Sequence, residues 1–224
     1  MIHKIDKKEV NINSIKYEHK NKINIKYYVK TKGKYDIFGE EFVKNNKDNI
    51  ELTINGDKHS LVNKCILKTG KNIITLKIKR KLTNLSYMFY WCKYLKDISE
   101  LIYLNVGECN NFSYMFYNCQ SLSDIKALES WNVSNGLNFE YMFYGCTSLY
   151  DIKSLQNWNV SNSLSFEYMF YGCTSLTDIK SLQNWKVSND NDLEGMFGGC
   201  SLFLEIKPLE KWDISKDKLK NMIN

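Results

Sequence analysis

The chain is poor in the residues that usually carry chemistry. It has three histidines, His3, His19 and His59, and none lies near a recurring carboxylate or cysteine that could complete an acid–base pair. No GxGxxG and no GxxxxGK followed by Ser or Thr occurs, so no phosphate loop is written in the chain. Seven cysteines are present without one CxxC, and a zinc site finds no support in that spacing. One proline, Pro208, and the lack of any Gly/Ser-rich stretch leave no linker to divide the molecule. No apolar run approaches the ~18 residues needed to cross a bilayer. The start, Met1 to Asn13, is polar and lacks a signal-peptide apolar region. These absences predict a non-enzyme with no cofactor and no metal. They also predict a cytoplasmic location, or a surface one if a leader has been trimmed away.

What is present begins with charge. The net charge is +6, and it is unevenly spread. Residues 1–80 hold 19 basic and 9 acidic groups, against 12 and 16 in the remainder. A basic N-terminal half suits an anionic partner, so binding of nucleic acid or an anionic surface is the alternative function. Tyr17, Tyr27, Tyr28 and Tyr35 lie among the lysines from Lys16 to Lys34, a weak nucleic-acid signature that strand alternation explains equally well.

The dominant feature is repetition. Met-Phe recurs every 27 residues, at Met88/Phe89, Met115/Phe116, Met142/Phe143, Met169/Phe170 and Met196/Phe197. Cys92, Cys119, Cys146, Cys173 and Cys200 follow each phenylalanine by three. Leu95, Leu122, Leu149 and Leu176 come three later still, and Leu202 falls one residue early. Self-similarity at this period predicts a stacked array, because one unit cannot bury its own apolar stripe. Within the third unit Phe139, Met142, Phe143 and Cys146 are spaced as one face of a short helix ending near Gly145. An extended segment with Leu149, Ile152, Leu155, Trp158 and Val160 follows. The five cysteines then form a reduced, buried column of small hydrophobes. Trp212, Ile214, Leu219 and Met222 read as the start of a sixth, capping unit, with Lys216, Lys218 and Lys220 on its wet face.

Ahead of the repeats, alternation at Ile23, Ile25, Tyr27 and Val29 predicts a strand. Ile50, Leu52 and Ile54 predict another, turning at Asn55-Gly56 into a return strand with Leu61 and Val62. Ile73–Ile78 is a further strand, and Ile37–Asn45 a short helix with Phe38 and Phe42 on one side.

The unit written in full, FEYMFYGCTSLYDIKSLQNWNVSN from Phe139 to Asn162, resembles the BspA-like leucine-rich repeat family. Members are similar in Met-Phe, then Gly-Cys-x-Ser-Leu, then Trp and a polar turn. The resemblance covers residues 82–224. It departs at the ends, where Trp91 replaces the later Gly145 and Gly172 and where Gly195 and Gly198 replace tyrosines. It implies an α/β fold: a leucine-rich-repeat-like solenoid of five 27-residue units (83–224, with a C-terminal cap) behind a β-rich N-terminal capping domain (1–82). It implies adhesion, host contact or scaffolding, and no catalytic residues.

Two surfaces are candidates for function. Tyr87, Tyr114, Tyr141 and Tyr168 form one column, and Tyr90, Tyr117, Tyr144 and Tyr171 a second. Tyrosine offers stiff amphipathic contact area, so Tyr114, Tyr117, Tyr141, Tyr144, Tyr168 and Tyr171 are the predicted surface for a protein partner. Packing of each ring across to the next unit is the competing explanation. The other surface pairs acid with base at i, i+2: Asp124/Lys126, Asp151/Lys153, Asp178/Lys180 and Glu205/Lys207. On a strand, acid and base would share a side as a solvated ladder. The sequence names neither the partner nor the oligomeric state.

Overall fold

A computed structural model describes residues 19–201 and 205–223. His3, Tyr17, Lys16 and Leu202 lie outside the described residues. Seven strands and two α-helices appear among the described residues: β1 Lys22–Val29, β2 Gly33–Asp36, α1 Glu40–Asn46, β3 Ile50–Ile54, β4 Asp57–His59, β5 Lys64–Leu67, β6 Gly70–Ile78, β7 Leu95–Asp97 and α2 Lys216–Asn221. The main sheet is antiparallel, in the order β4-β3-β6-β1-β7, and β2 pairs with β5 in a small second sheet.

Alternation places the sheet's inner face. β1 buries Ile23, Ile25, Tyr27 and Val29, and its register sets Ile23 opposite Leu76 and Ile25 opposite Ile74. β3 contributes Leu52, also opposite Leu76. Asn55 (φ 51°) and Gly56 (φ 100°) make the tight turn to β4, since both central residues of such a hairpin need positive φ. β4 ends at His59, so Leu61 and Val62 lie beyond the return strand predicted to hold them. Leu61 is nonetheless buried. The predicted helix begins later than expected, at Glu40, with Phe38 ahead of it and packed on Phe42 at 6.0 Å between ring centres.

The expected α/β leucine-rich-repeat solenoid is corrected by these elements. The protein is a small β-rich molecule built on an antiparallel sheet, and the five repeated segments contain no α-helix among the described residues. The helix predicted over Phe139–Cys146 is a run of turns. The reason is backbone handedness. Tyr141 (φ 53°) and Gly145 (φ 66°) sit in the left-handed region, which interrupts a right-handed helix every fourth residue. Among the described residues, parallel pairing between segments is limited to single bridges such as Asn111 to Asn138. The extended segments are 3-10 turns, at Ser99–Tyr103, Lys126–Ser130, Lys153–Leu155, Lys180–Asn184 and Lys207–Lys211.

The backbone donors of these turns are still satisfied. Phe139, Tyr141, Phe143 and Gly145 donate to carbonyls 26 residues further on, at Ser165, Glu167, Met169 and Tyr171. The intervening Met142, Tyr144 and Cys146 donate back three residues. Inside, the Met-Phe side chains are buried, and the phenylalanine rings lie nearly parallel, as at Phe143 and Phe170, 5.4 Å apart.

Two joins finish the molecule. At the first, β7 pairs with β1, Tyr27 donates its hydroxyl to the Ile37 carbonyl at 2.5 Å, and Gly39 N–H donates to Tyr87 O and Met88 O at 3.2 Å each. At the second, the predicted sixth unit is instead helix α2. Ser215 Oγ accepts from Lys218 N at its start, as an N-cap should. The end of α2 offers Asn221 O and Met222 O to Gly195 N and Phe197 N. Trp212 and Met222 are buried, Ile214 and Leu219 half-buried, while Lys216 and Lys220 face water. Lys218 instead turns inward to Asn189 O and Asn191 O.

Candidate functional site

The tyrosines come together into one strip. In the first file Tyr87, Tyr114, Tyr141 and Tyr168 stack with ring centres 4.8, 4.7 and 5.0 Å apart. In the second, Tyr90, Tyr117, Tyr144 and Tyr171 follow at 4.9, 4.6 and 5.1 Å. The files touch each other as well, at 5.7 Å between Tyr141 and Tyr144. All eight side chains are half-buried, so ring faces are spent on neighbouring rings and ring edges remain for contact. The packing explanation is therefore part of the geometry: the strip is built by contacts across successive segments.

The first file carries strain. Tyr87, Tyr114, Tyr141 and Tyr168 have φ of 60, 57, 53 and 51°, where a bulky side chain is a genuine outlier. Gly195 occupies the next position in register with φ 57°. A Cβ there would lie 2.3 Å from Tyr168 Cε1, so the file ends on a glycine that the last ring covers. The backbone thus demands a left-handed residue at this position, and four times the chain supplies tyrosine where glycine would meet no steric penalty.

Carboxylates line the strip. The Tyr141 hydroxyl donates to Glu167 Oε1 at 3.4 Å and the Tyr168 hydroxyl to Glu194 Oε1 at 3.0 Å. Burial and then the neighbouring Glu167 charge push the Tyr141 phenol well up, and burial with Tyr87 and Glu140 nearby raises Tyr114 to about 12. Glu167 is itself raised, by burial first and then by Asp192 and Glu140. With their phenols raised, Tyr141 and Tyr168 keep their protons and donate them to these carboxylates.

The remaining columns are structural. Cys119, Cys146, Cys173 and Cys200 each point a thiol at a carbonyl thirty residues earlier, all at 3.1 Å. Burial raises Cys146 and Cys200 to about 12, so the nucleophilic thiolate is scarce. Trp131, Trp158, Trp185 and Trp212 likewise donate Nε1–H to leucine carbonyls thirty residues back. No group of three or more His, Cys, Asp or Glu able to hold a metal ion occurs among the described residues. His19 and His59 are exposed.

The predicted acid–base ladder is corrected. Asp124, Asp151 and Asp178 use Oδ1 to accept the backbone N–H of Lys126, Lys153 and Lys180, opening each 3-10 turn. They form no ion pair with those lysines among the described residues. The segment is a 3-10 turn and not a strand, so each aspartate is engaged by the backbone N–H of its lysine and not by the ammonium. In the N-terminal part several lysines are neutralised locally: Lys26 by Asp97 at 2.6 Å, Lys64 by Asp36, Lys77 and Lys79 by Glu51, Lys81 by Glu108.

Sequence reasoning missed the left-handed tyrosines. A signal existed in their own register at Gly195, a residue that accepts positive φ; Asn118, Gly145, Gly172 and Gly199 mark the second left-handed position four residues on. No helix among the described residues is long and apolar enough to cross a membrane. No curated protein and no solved structure matches the chain. Residues 61–179 and 124–224 match the family model described as Mycoplasma protein of unknown function, DUF285, and the chain belongs to that family.

Proposed function

We propose that this chain is a non-enzymatic interaction module that binds a protein partner through the tyrosine strip, in a scaffolding or adhesive role. One observation carries the reading: four tyrosines are held at positive φ in a column that ends on Gly195. Strain of this kind costs about 1–3 kcal/mol per residue and persists where the surroundings and a use for the side chain sustain it. The mutual stacking pre-organises the rings, so little rotamer freedom remains to be lost on binding. Tyrosine edges and hydroxyls beside carboxylates supply both apolar area and hydrogen bonds, the mixture found at recognition surfaces. A basic N-terminal surface supports nucleic-acid binding less well, because no comparable ordered strip of side chains is assembled there and Lys26, Lys64, Lys77 and Lys79 already face carboxylates.

The test is site-specific photo-crosslinking in the native cell. A crosslinking aromatic at Tyr117 or at Tyr144 captures the same protein, whereas one at exposed Lys47 does not. Capture of the same set from all three positions, or of nothing from the two tyrosine positions, would overturn the reading.

A further inference from the structure

We propose that the 3-10 face carries a second site, a groove that binds an unbranched neutral polysaccharide. It uses residues outside the tyrosine strip. Three hollows of about 430, 380 and 330 Å³ lie along this face. They are continuous: Tyr150, Asp151 and Lys153 line both the first and the second, and Asp124 and Lys126 both the second and the third. The groove therefore runs across successive segments.

Its lining repeats. Each segment offers one aspartate and one lysine, at Asp124/Lys126, Asp151/Lys153 and Asp178/Lys180. The aspartates are fixed in direction because Oδ1 is held by a backbone N–H, which leaves Oδ2 as an acceptor. Among the described residues no carboxylate or carbonyl reaches the ammonium groups of Lys126, Lys153 and Lys180, which leaves them as donors. Donors and acceptors thus alternate at a fixed interval along an open trough.

Charge decides the ligand class. The three hollows are lined by four lysines, four aspartates and Glu129, so the sum is close to neutral. A polyanion gains from releasing counterions at lysines but is repelled by the aspartate file beside them. A polycation meets the reverse conflict. A neutral chain of hydroxyl groups satisfies both files, since every hydroxyl both donates and accepts. Tyr150 supplies the apolar element: it is 61% exposed at the junction of the first two hollows, a ring face on which a sugar ring can lie. Repetition of the same pair along the groove matches a ligand that is itself a repeat, and each added sugar engages a further segment.

The experiment titrates the full chain calorimetrically with cellohexaose, maltohexaose and chitohexaose, and with the matching disaccharides. One hexasaccharide is expected to bind with Kd below about 1 mM, at least about tenfold more tightly than its disaccharide, and with little dependence on salt. Tyr150→Ala is expected to weaken that binding about tenfold and Tyr150→Phe to preserve it. Asp151→Asn keeps the turn-opening acceptor and is expected to weaken binding severalfold. Thermal unfolding of each variant is read alongside, and because Tyr150 and Asp151 are exposed its midpoint should stay put. Failure of all three hexasaccharides to bind overturns the proposal. So does binding indifferent to Tyr150→Ala, or binding of heparin that is tighter and falls steeply with salt.

Discussion

The sheet and the repeated segments solve one problem in opposite ways. In the sheet, β1 and β6 exchange backbone hydrogen bonds over eight paired positions and bury every second residue. In the segments no strand runs that long. Alternate residues, such as Phe139, Tyr141 and Phe143, donate outward to the next segment, while those between them close local turns. The sheet confines positive φ to its turns and one strand end, at Asn55, Gly56 and Gly70. The segments need left-handed ones at two places in each unit, which the chain fills with tyrosine or glycine at one and with Trp91, Asn118 or glycine at the other. Sequence separation differs as well: β1 pairs with β6 across 41 to 55 residues, whereas the segments combine turns closed over three residues with bonds to partners 26 to 30 residues away.

The comparison breaks most severely in the shared interior. Phe143→Ala removes a fully buried ring between Phe116 and Phe170 and is expected to cost about 3–5 kcal/mol. Ile25→Ala in the sheet should fall at the lower end of that scale, about 2–4 kcal/mol, because the paired backbone of β1 and β6 survives it. Urea unfolding of both variants checks the order; a smaller loss for Phe143→Ala would mean the segments depend on their backbone ladder more than on their core.

The join between the regions comes next. A Cβ at Gly39 would lie 2.1 Å from Tyr87 O, so Gly39→Ala must push α1 off the first segment. A loss of about 2–3 kcal/mol is expected. Separate melting of sheet and segments in this variant would show that the join is what makes them cooperate; an unchanged, single transition would show that the contact is dispensable.

The smallest effect tests the same join by pH. Burial pushes Asp97 up, but the hydrogen bonds from Lys26 and Ser99 outweigh it, and its carboxyl ends below the usual range. A depressed carboxylate contributes stability above its unfolded value, and that contribution is lost as pH falls through the lower folded value. Lys26, raised by its bond to Asp97, contributes until pH climbs through its folded value above 10.5. Asp97→Asn should therefore cost about 1 kcal/mol at neutral pH and close to nothing in strong acid. Denaturation midpoints of both proteins at neutral and acid pH decide it; a constant gap would remove the ion pair as the cause.

The sheet was legible because period-two alternation at Ile23, Ile25 and Tyr27 has one structural meaning, and because Asn55-Gly56 names its turn. The segments misled because spacing at Phe139, Met142, Phe143 and Cys146 is satisfied equally by a helix and by successive tight turns. Apolar positions three and four apart meet the core in both. The difference lies in φ, and tyrosine at φ 53° leaves no mark in hydrophobic spacing. The tyrosine columns themselves were readable, since their period fixes their mutual register. Their half-burial was not, because ring exposure depends on how closely successive segments approach.

The amino-acid order alone settled which side chains go inside: Met, Phe, Cys and Trp at a fixed interval have no other place to lose water. It also settled the turn at Asn55-Gly56, which is local, though not how far the strand after it runs. Folding in three dimensions decided the handedness of the tyrosine backbone and the outward direction of every second amide. Those depend on hydrogen-bond partners 26 or more residues away, and a preference set by distant partners is invisible to any reading of neighbours.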